Sequence, residues 1–309
     1  MVAAPAEGDG AAAPAVAASD LLSPEFLRRI ARLELVSRRL FAGRFKGERR
    51  TRNRGTSVEF ADYRNYVHGD EPRFIDWNTY GRLERLFLKL FVEEEDLFVY
   101  LLVDTSRSMG FGEPDKLSHA RRIAAALAYI SLLGMDRVTI GGFGTGLGRT
   151  LPPRRGRSQA TRVFEFLASL EPSGGTSLEA AVRRFTASVR RPGLVVVLSD
   201  FLDKGGYEGA LKQLLHKRCE VCVMHVLSGE DLDPRLQGEL RLVDAEDESV
   251  AEVTVSERLL RNYRENAESW CGQLRAFCVA RGINYIMADT RVSFEDLVLR
   301  YLKIGRAHV

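Results

Sequence analysis

Cysteine is scarce in this chain, with four in 309 residues: Cys219, Cys222, Cys271 and Cys278. That is too few for a disulfide-stapled scaffold. Cys219 and Cys222 have the spacing of a redox or zinc pair, but they enter a strand instead of opening a helix. Their odd separation puts the thiols on opposite strand faces, and no second pair completes a zinc site. Cys271 and Cys278 read as inward-packing helix residues, so all four thiols are structural. Long apolar runs are missing as well. Leu97–Val103 holds seven apolar residues in a row, whereas a bilayer span needs about 20. The first twenty residues include Glu7, Asp9 and Asp20 and lack the basic start and apolar core of a secretory signal. Cytoplasmic residence is the expectation. Excess charge is absent too: a net +3 creates no global field for nucleic acid or membranes. No Gly-x-x-x-x-Gly-Lys-Ser/Thr loop occurs, which argues against nucleotide hydrolysis by this chain. His68, His119, His216 and His225 lie in unrelated contexts and suggest no Ser/His/Asp set. His225, inside an apolar strand, reads as a satisfied core residue.

What is present is an ordinary globular composition, 45% apolar and 28% charged. Residues 1–20 are rich in Ala, Pro and Gly and read as an unstructured tail. Ser23-Pro24-Glu25 has the form of an N-cap followed by proline at the first helical position. Apolar residues from Phe26 to Phe41 continue at helical spacing up to Gly43. Arg44–Gly55 is strongly basic. From Thr56 to Glu95 charged and aromatic residues crowd together, with turn signals at Gly69-Asp70 and Pro72 and a strand at Leu86–Val92. These features delimit an N-terminal helix and small accessory module over 21–95, its Asp, Arg and aromatic residues forming an ionic and stacking network that fixes the module to its neighbour. Over 96–302 strands and helices alternate, which predicts an α/β domain with a parallel sheet and right-handed crossovers. A hairpin at Arg241–Asp244 and Val250–Val255 interrupts that alternation. Residues 303–309 break the last helix's amphipathic pattern and resemble a translated sequencing adapter, so a non-native terminus is expected there.

The apolar run Leu97–Val103 reads as a strand buried on both faces. At its carboxyl end come Asp104, Ser106 and Ser108 at alternate positions. In open α/β sheets the carboxyl ends of strands are where ligands bind. Pro172-Ser173-Gly174-Gly175-Thr176-Ser177 precedes a helix, and Leu194–Leu198 is a strand running into Ser199-Asp200. A parallel sheet brings these three loops to one edge. Asp104, Ser106, Ser108, Thr176 and Asp200 then offer hard oxygen ligands that suit Mg²⁺ or Mn²⁺, with a coordination position left for water or a partner's carboxylate.

Asp104-x-Ser106-x-Ser108, Thr176 and Asp200 resemble the metal-ion-dependent adhesion site (MIDAS) of von Willebrand factor A domains. Gly55–Trp77, with Arg85–Glu95, resembles the fingerprint of the domain-of-unknown-function-58 family. The resemblance implies a Rossmann-like sheet with the metal site on top. It also implies partnership with a MoxR-type AAA+ ATPase in chaperone-like assembly or maturation of a target complex. Adhesion domains often carry glycine after the last Asp; here Phe201 stands. Many relatives have membrane spans before the fingerprint, and this chain resembles the shorter, soluble form. The expectation is a non-enzymatic interaction module that captures an acidic residue of a protein partner through the metal. One alternative is a metal-dependent hydrolase using Asp104, although a haloacid-dehalogenase mechanism wants a second carboxylate where Ser106 stands. Another is nucleic-acid binding through Arg44–Arg54 and Arg154–Arg157, where few interleaved aromatics argue against single-strand stacking. Its signature would be a steep fall of affinity with salt.

Overall fold

The computed structural model describes residues 2–3, 21–31, 58–68, 70, 72–93, 97–244 and 249–304. The chain divides into two compact units, Phe45–Asp96 and a larger one made of Met1–Arg44 with Leu97–Val309. The larger unit starts with β1 (Val2–Ala3) and α1 (24–31). The smaller one holds β2 (Val58–Asn65), α2 (Trp77–Leu83) and β3 (Phe87–Glu93). The larger unit resumes with β4 (Phe98–Asp104), α3 (Lys116–Leu133), β5 (Arg137–Phe143), β6 (Leu147–Arg154), α4 (Ala160–Ala168) and α5 (Leu178–Ser188). It continues through β7 (Leu194–Ser199), α6 (Glu208–His216), β8 (Glu220–Leu227) and the single-turn α7 (Gly229–Leu232). β9 (Gly238–Val243), β10 (Val250–Val255), α8 (Glu257–Val279), β11 (Asn284–Asp289) and α9 (Phe294–Ile304) complete it.

Six strands form one sheet in the order β11-β8-β7-β4-β5-β6. All neighbours pair in parallel except β6, which runs antiparallel to β5 at the edge. This is the mixed α/β architecture that the alternation predicts. The central strands are apolar along their length because helices cover both faces. Tyr100 and Leu102, Val195 and Val197, Val221 and Val223 point to one face, where they pack with Leu178, Val182, Phe185, Leu211, Leu214 and Leu274. The intervening residues point the other way, toward α3, which crosses β4, β5, β7 and β8. Ala120, Ala124, Ala125, Ala126 and Ala128 of α3 are fully buried, and their small side chains let the helix lie close against its neighbours. From β4 the chain moves to β5 on one side, while β7 lies on the other. That reversal makes the carboxyl end of β4 a topological switch point.

α1 belongs to this larger unit. Ser23 Oγ caps it by accepting the Phe26 N–H at 3.1 Å. Phe26 is buried edge-on against Phe294 of α9, with ring centroids 5.2 Å apart, and Arg29 pairs with Glu295 at 3.0 Å. The grouping over 21–95 is therefore corrected: the helix packs with the α/β core, and the accessory unit starts at Phe45. The rest of the expected helix beyond residue 31 and the basic Arg44–Arg54 stretch lie outside the described residues.

Other differences have local causes. The stretch after β5, rich in glycine and ending in the basic Pro153–Arg157, contains β6. Pro152 and Pro153 disguise it, and proline is tolerated because an edge strand leaves one row of N–H groups without ladder partners. Within the expected tail, Val2 and Ala3 pair with Val243 and Leu242, adding a short third strand to the β9–β10 hairpin. Residues 4–20 and 305–309 lie outside the described residues. Among the described residues no helix is long and apolar enough to cross a membrane.

In the smaller unit β2 and β3 pair antiparallel, with a bulge between Phe60 and Asp62. Asp76 caps α2 through the Asn78 and Thr79 N–H groups at 3.0 and 3.3 Å, and its other oxygen accepts the Tyr63 hydroxyl at 2.9 Å. Arg64 pairs with Asp70 at 2.7 Å. These bonds lie within the unit.

Candidate functional site

β4 and β7 are parallel neighbours with Val103 opposite Leu198, so the residues that follow, Asp104 and Ser199-Asp200, emerge side by side. Asp104 Oδ1 accepts the Ser106 N–H at 2.9 Å, and Oδ2 accepts the Ser199 hydroxyl at 2.5 Å. The Ser106 and Ser108 hydroxyls lie 3.0 Å apart, and Ser108 donates to Asp200 Oδ2 at 2.9 Å. Four expected site residues, Asp104, Ser106, Ser108 and Asp200, therefore share one buried hydrogen-bond chain. Thr176 arrives on the adjoining loop. There the Arg107 N–H donates to Gly174 O at 2.9 Å, and the Ser173 N–H donates to Thr105 O at 2.8 Å. The same loop ends at Ser177, whose hydroxyl caps α5.

Two residues that sequence reasoning missed complete the cluster. Lys116, the first residue of α3, is only 1% exposed. Its Nζ lies 2.8 Å from Asp200 Oδ2 and 3.1 Å from Asp231 Oδ2. Asp231 sits in α7, where it and Ser228 form a reciprocal capping box. The loop leading into α3 crosses this turn at Gly112, whose φ is +97° and whose Cβ, if present, would fall 2.5 Å from Ser228 Cβ. Only glycine satisfies both the left-handed backbone and that approach. Both residues had faint sequence signals. A cation at the first helical position opposes the helix dipole, so Lys116 needs another partner. Ser228-x-x-Asp231 is a helix-start pattern at a strand end.

Two more groups shape the floor. His225 is fully buried, with Nε2 3.1 Å from the Asp200 main-chain oxygen and Nδ1 2.8 Å from the Tyr285 hydroxyl. A carbonyl only accepts, which assigns the proton to Nε2 and leaves Nδ1 to accept from Tyr285. Burial pushes this imidazole down to about 4, so it is neutral near pH 7. Its sequence reading as a satisfied core histidine matches these bonds. Phe201 adopts φ 56°, the left-handed region that glycine enters freely. A non-glycine residue there costs about 1–2 kcal/mol. The loop holds it by burying the ring beside Tyr207 and His225 and by donating its N–H to Ser199 Oγ at 2.9 Å.

Electrostatically, two carboxylates, Asp200 and Asp231, share one ammonium, with Asp104 beside Asp200. Burial would raise Asp200, but Lys116, aided by the Leu202 N–H and the Ser108 hydroxyl, holds its carboxyl below the usual range. Burial would lower Lys116, and Asp200 and Asp231 together raise it instead. Asp104 differs: burial first and the Asp200 charge second push its carboxyl up. The oxygen set is thus short of positive charge, and its carboxylates and hydroxyls fit a hard divalent cation. Among the described residues no group of three or more His, Cys, Asp or Glu forms a metal cage, so an ion here would draw on serine hydroxyls as well.

The family described as "Protein of unknown function DUF58" matches residues 62–270, about two thirds of the chain. The uncharacterized proteins Rv1480 of Mycobacterium tuberculosis and Mb1516 of Mycobacterium bovis are each 26% identical over 260 residues, covering 82% of this chain and 81% of theirs. Among solved structures, BatB from Bacteroides thetaiotaomicron is 19% identical, covering 68% of this chain and 98% of its own, with a TM-score of 0.43. An aerotolerance-related membrane protein from Bacteroides fragilis is 19% identical, covering 67% and 99%, with a TM-score of 0.42.

Proposed function

The chain belongs to the DUF58 family of proteins of unknown function, and on that premise we propose that it is a non-enzymatic, metal-dependent protein-interaction module of the von Willebrand factor A type. The observation that carries this reading is the Asp104–Ser106–Ser108–Asp200 chain at the topological switch point. Those four residues, joined by Thr176, would hold Mg²⁺ or Mn²⁺. When bound, the ion supplies a Lewis-acidic position for a carboxylate from a partner protein. The proposed partner is a MoxR-type AAA+ ATPase acting in chaperone-like assembly or maturation, or a target that presents the acidic residue.

A hydrolase using Asp104 as nucleophile fits less well. Both oxygens of Asp104 already accept hydrogen bonds, and Ser106 stands where a haloacid-dehalogenase mechanism wants a second carboxylate. The test is titration calorimetry with Mg²⁺ and Mn²⁺, joined to capture of the ATPase with and without chelator. Wild-type protein is expected to bind the ion, and Asp104→Asn and Thr176→Ala to lose at least tenfold in affinity and lose capture. Capture by both variants in chelator would overturn the reading.

A further inference from the structure

Lys116 has no part in the expected ligand set, yet it makes two charged contacts in the cluster. Its ammonium is 2.8 Å from Asp200 Oδ2, the same oxygen that accepts the Ser108 hydroxyl at 2.9 Å. A cation therefore already stands on the oxygen set. The side chains of Lys116 and Asp200 are each 1% exposed, so water does not screen the pair. Pairing with one carboxylate would neutralise the ammonium, but a second one, Asp231, lies at 3.1 Å on a turn built to hold it. The Ser228 N–H and hydroxyl fix the same Asp231 oxygen at 2.9 and 3.0 Å.

We propose that Lys116 is a resident cation that competes with the divalent ion for Asp200, and that Asp231 is the counter-charge that lets Asp200 be released. This rests on the metal-binding reading above and adds its regulation. Without an ion, the ammonium balances Asp200. When Asp200 serves the ion, Asp231 keeps the buried ammonium paired, so no isolated charge is left in the interior. Ion affinity is then set by residues outside the ligand set. Removing Lys116 and removing Asp231 act in opposite directions, which a purely structural role for the pair would not produce.

The experiment uses the full chain as wild type, Lys116→Met and Asp231→Asn. Mn²⁺ and Mg²⁺ binding is read by calorimetry, and thermal unfolding is followed with and without ion. Lys116→Met is expected to bind Mn²⁺ at least tenfold tighter than wild type and to gain more in melting temperature from the ion. Asp231→Asn, which keeps shape and loses charge, is expected to bind several-fold weaker. Should Lys116→Met fold only with ion, its ion-dependent folding supports the proposal and Asp231→Asn supplies the affinity comparison. Wild-type binding with unchanged affinity in both variants, or weaker binding by folded Lys116→Met, would overturn the inference and leave the metal reading standing. Absence of binding in all three folded proteins would overturn both.

Discussion

The two units of this chain each hold an ion pair of nearly the same length, 2.7 Å for Arg64–Asp70 and 2.8 Å for Lys116–Asp200. The side chains of the first are 42% and 21% exposed, and those of the second 1% and 1%. Distance is therefore not what separates them. Around Arg64 and Asp70 water solvates both charges in the folded and unfolded states, so the contact adds little. At Lys116 both charges have left water, and each depends on the other to avoid an uncompensated charge in a low dielectric. The difference teaches that a cation–carboxylate pair ties down a turn in one unit and builds a charge-tuned site in the other.

The comparison can be broken most directly at Asp200. Asp200→Ala strips the Lys116 ammonium of one of its two carboxylates, and the expected loss is about 3 kcal/mol in the urea unfolding of the protein at pH 7. A loss below about 1 kcal/mol would put the buried pair in the same class as surface pairs.

Burial should act similarly on a lone base. His119 is buried among its neighbours, its Nε2 has no hydrogen-bond partner among the described residues, and burial aided by Arg122 pushes the imidazole down to about 4. The folded state prefers the neutral form, so the associated stability is present above the ordinary value near 6.5 and is lost as pH falls toward 4. Wild type should lose about 2 kcal/mol relative to His119→Gln between pH 7 and pH 5. Parallel urea curves at the two pH values check this, and equal losses would show that His119 is not held neutral.

The smallest effect sharpens the surface side. Arg64→Ala is expected to leave the urea midpoint unchanged within error at physiological salt. A resolvable loss there would mean that the turn at Asp70, which also accepts the Val67 N–H at 3.0 Å, depends on the guanidinium.

Much of the larger unit was legible in the residue pattern. Leu97–Val103, Leu194–Leu198 and Val221–Leu227 are apolar runs of strand length, and each appears as a strand of the central sheet. Their alternation with helices predicts parallel pairing, and Asp104 and Asp200 mark two strand ends that become neighbours. The hairpin of the smaller unit was legible only in its second strand. The bulge at Phe60 and Asp62 interrupts the two-residue alternation of β2, so the pattern reads as a cluster of charged and aromatic residues. β6 was hidden for a different reason, since its two prolines signal a loop unless the strand is known to lie at an edge.

Sequence alone determined the strand runs, the helix cap at Ser23, and the oxygen-bearing residues that stand where β4 and β7 end. Those properties depend on neighbours a few positions away. Only the tertiary structure decided that Lys116 would meet Asp200, 84 residues along the chain, and share its charge with Asp231. Only it decided that Phe201 would take a glycine's backbone and be held there by its own buried ring. Desolvation is a property of the whole enclosure around a group. No local pattern encodes it, and it is what turns a lysine at a helix start into the counter-ion of the site.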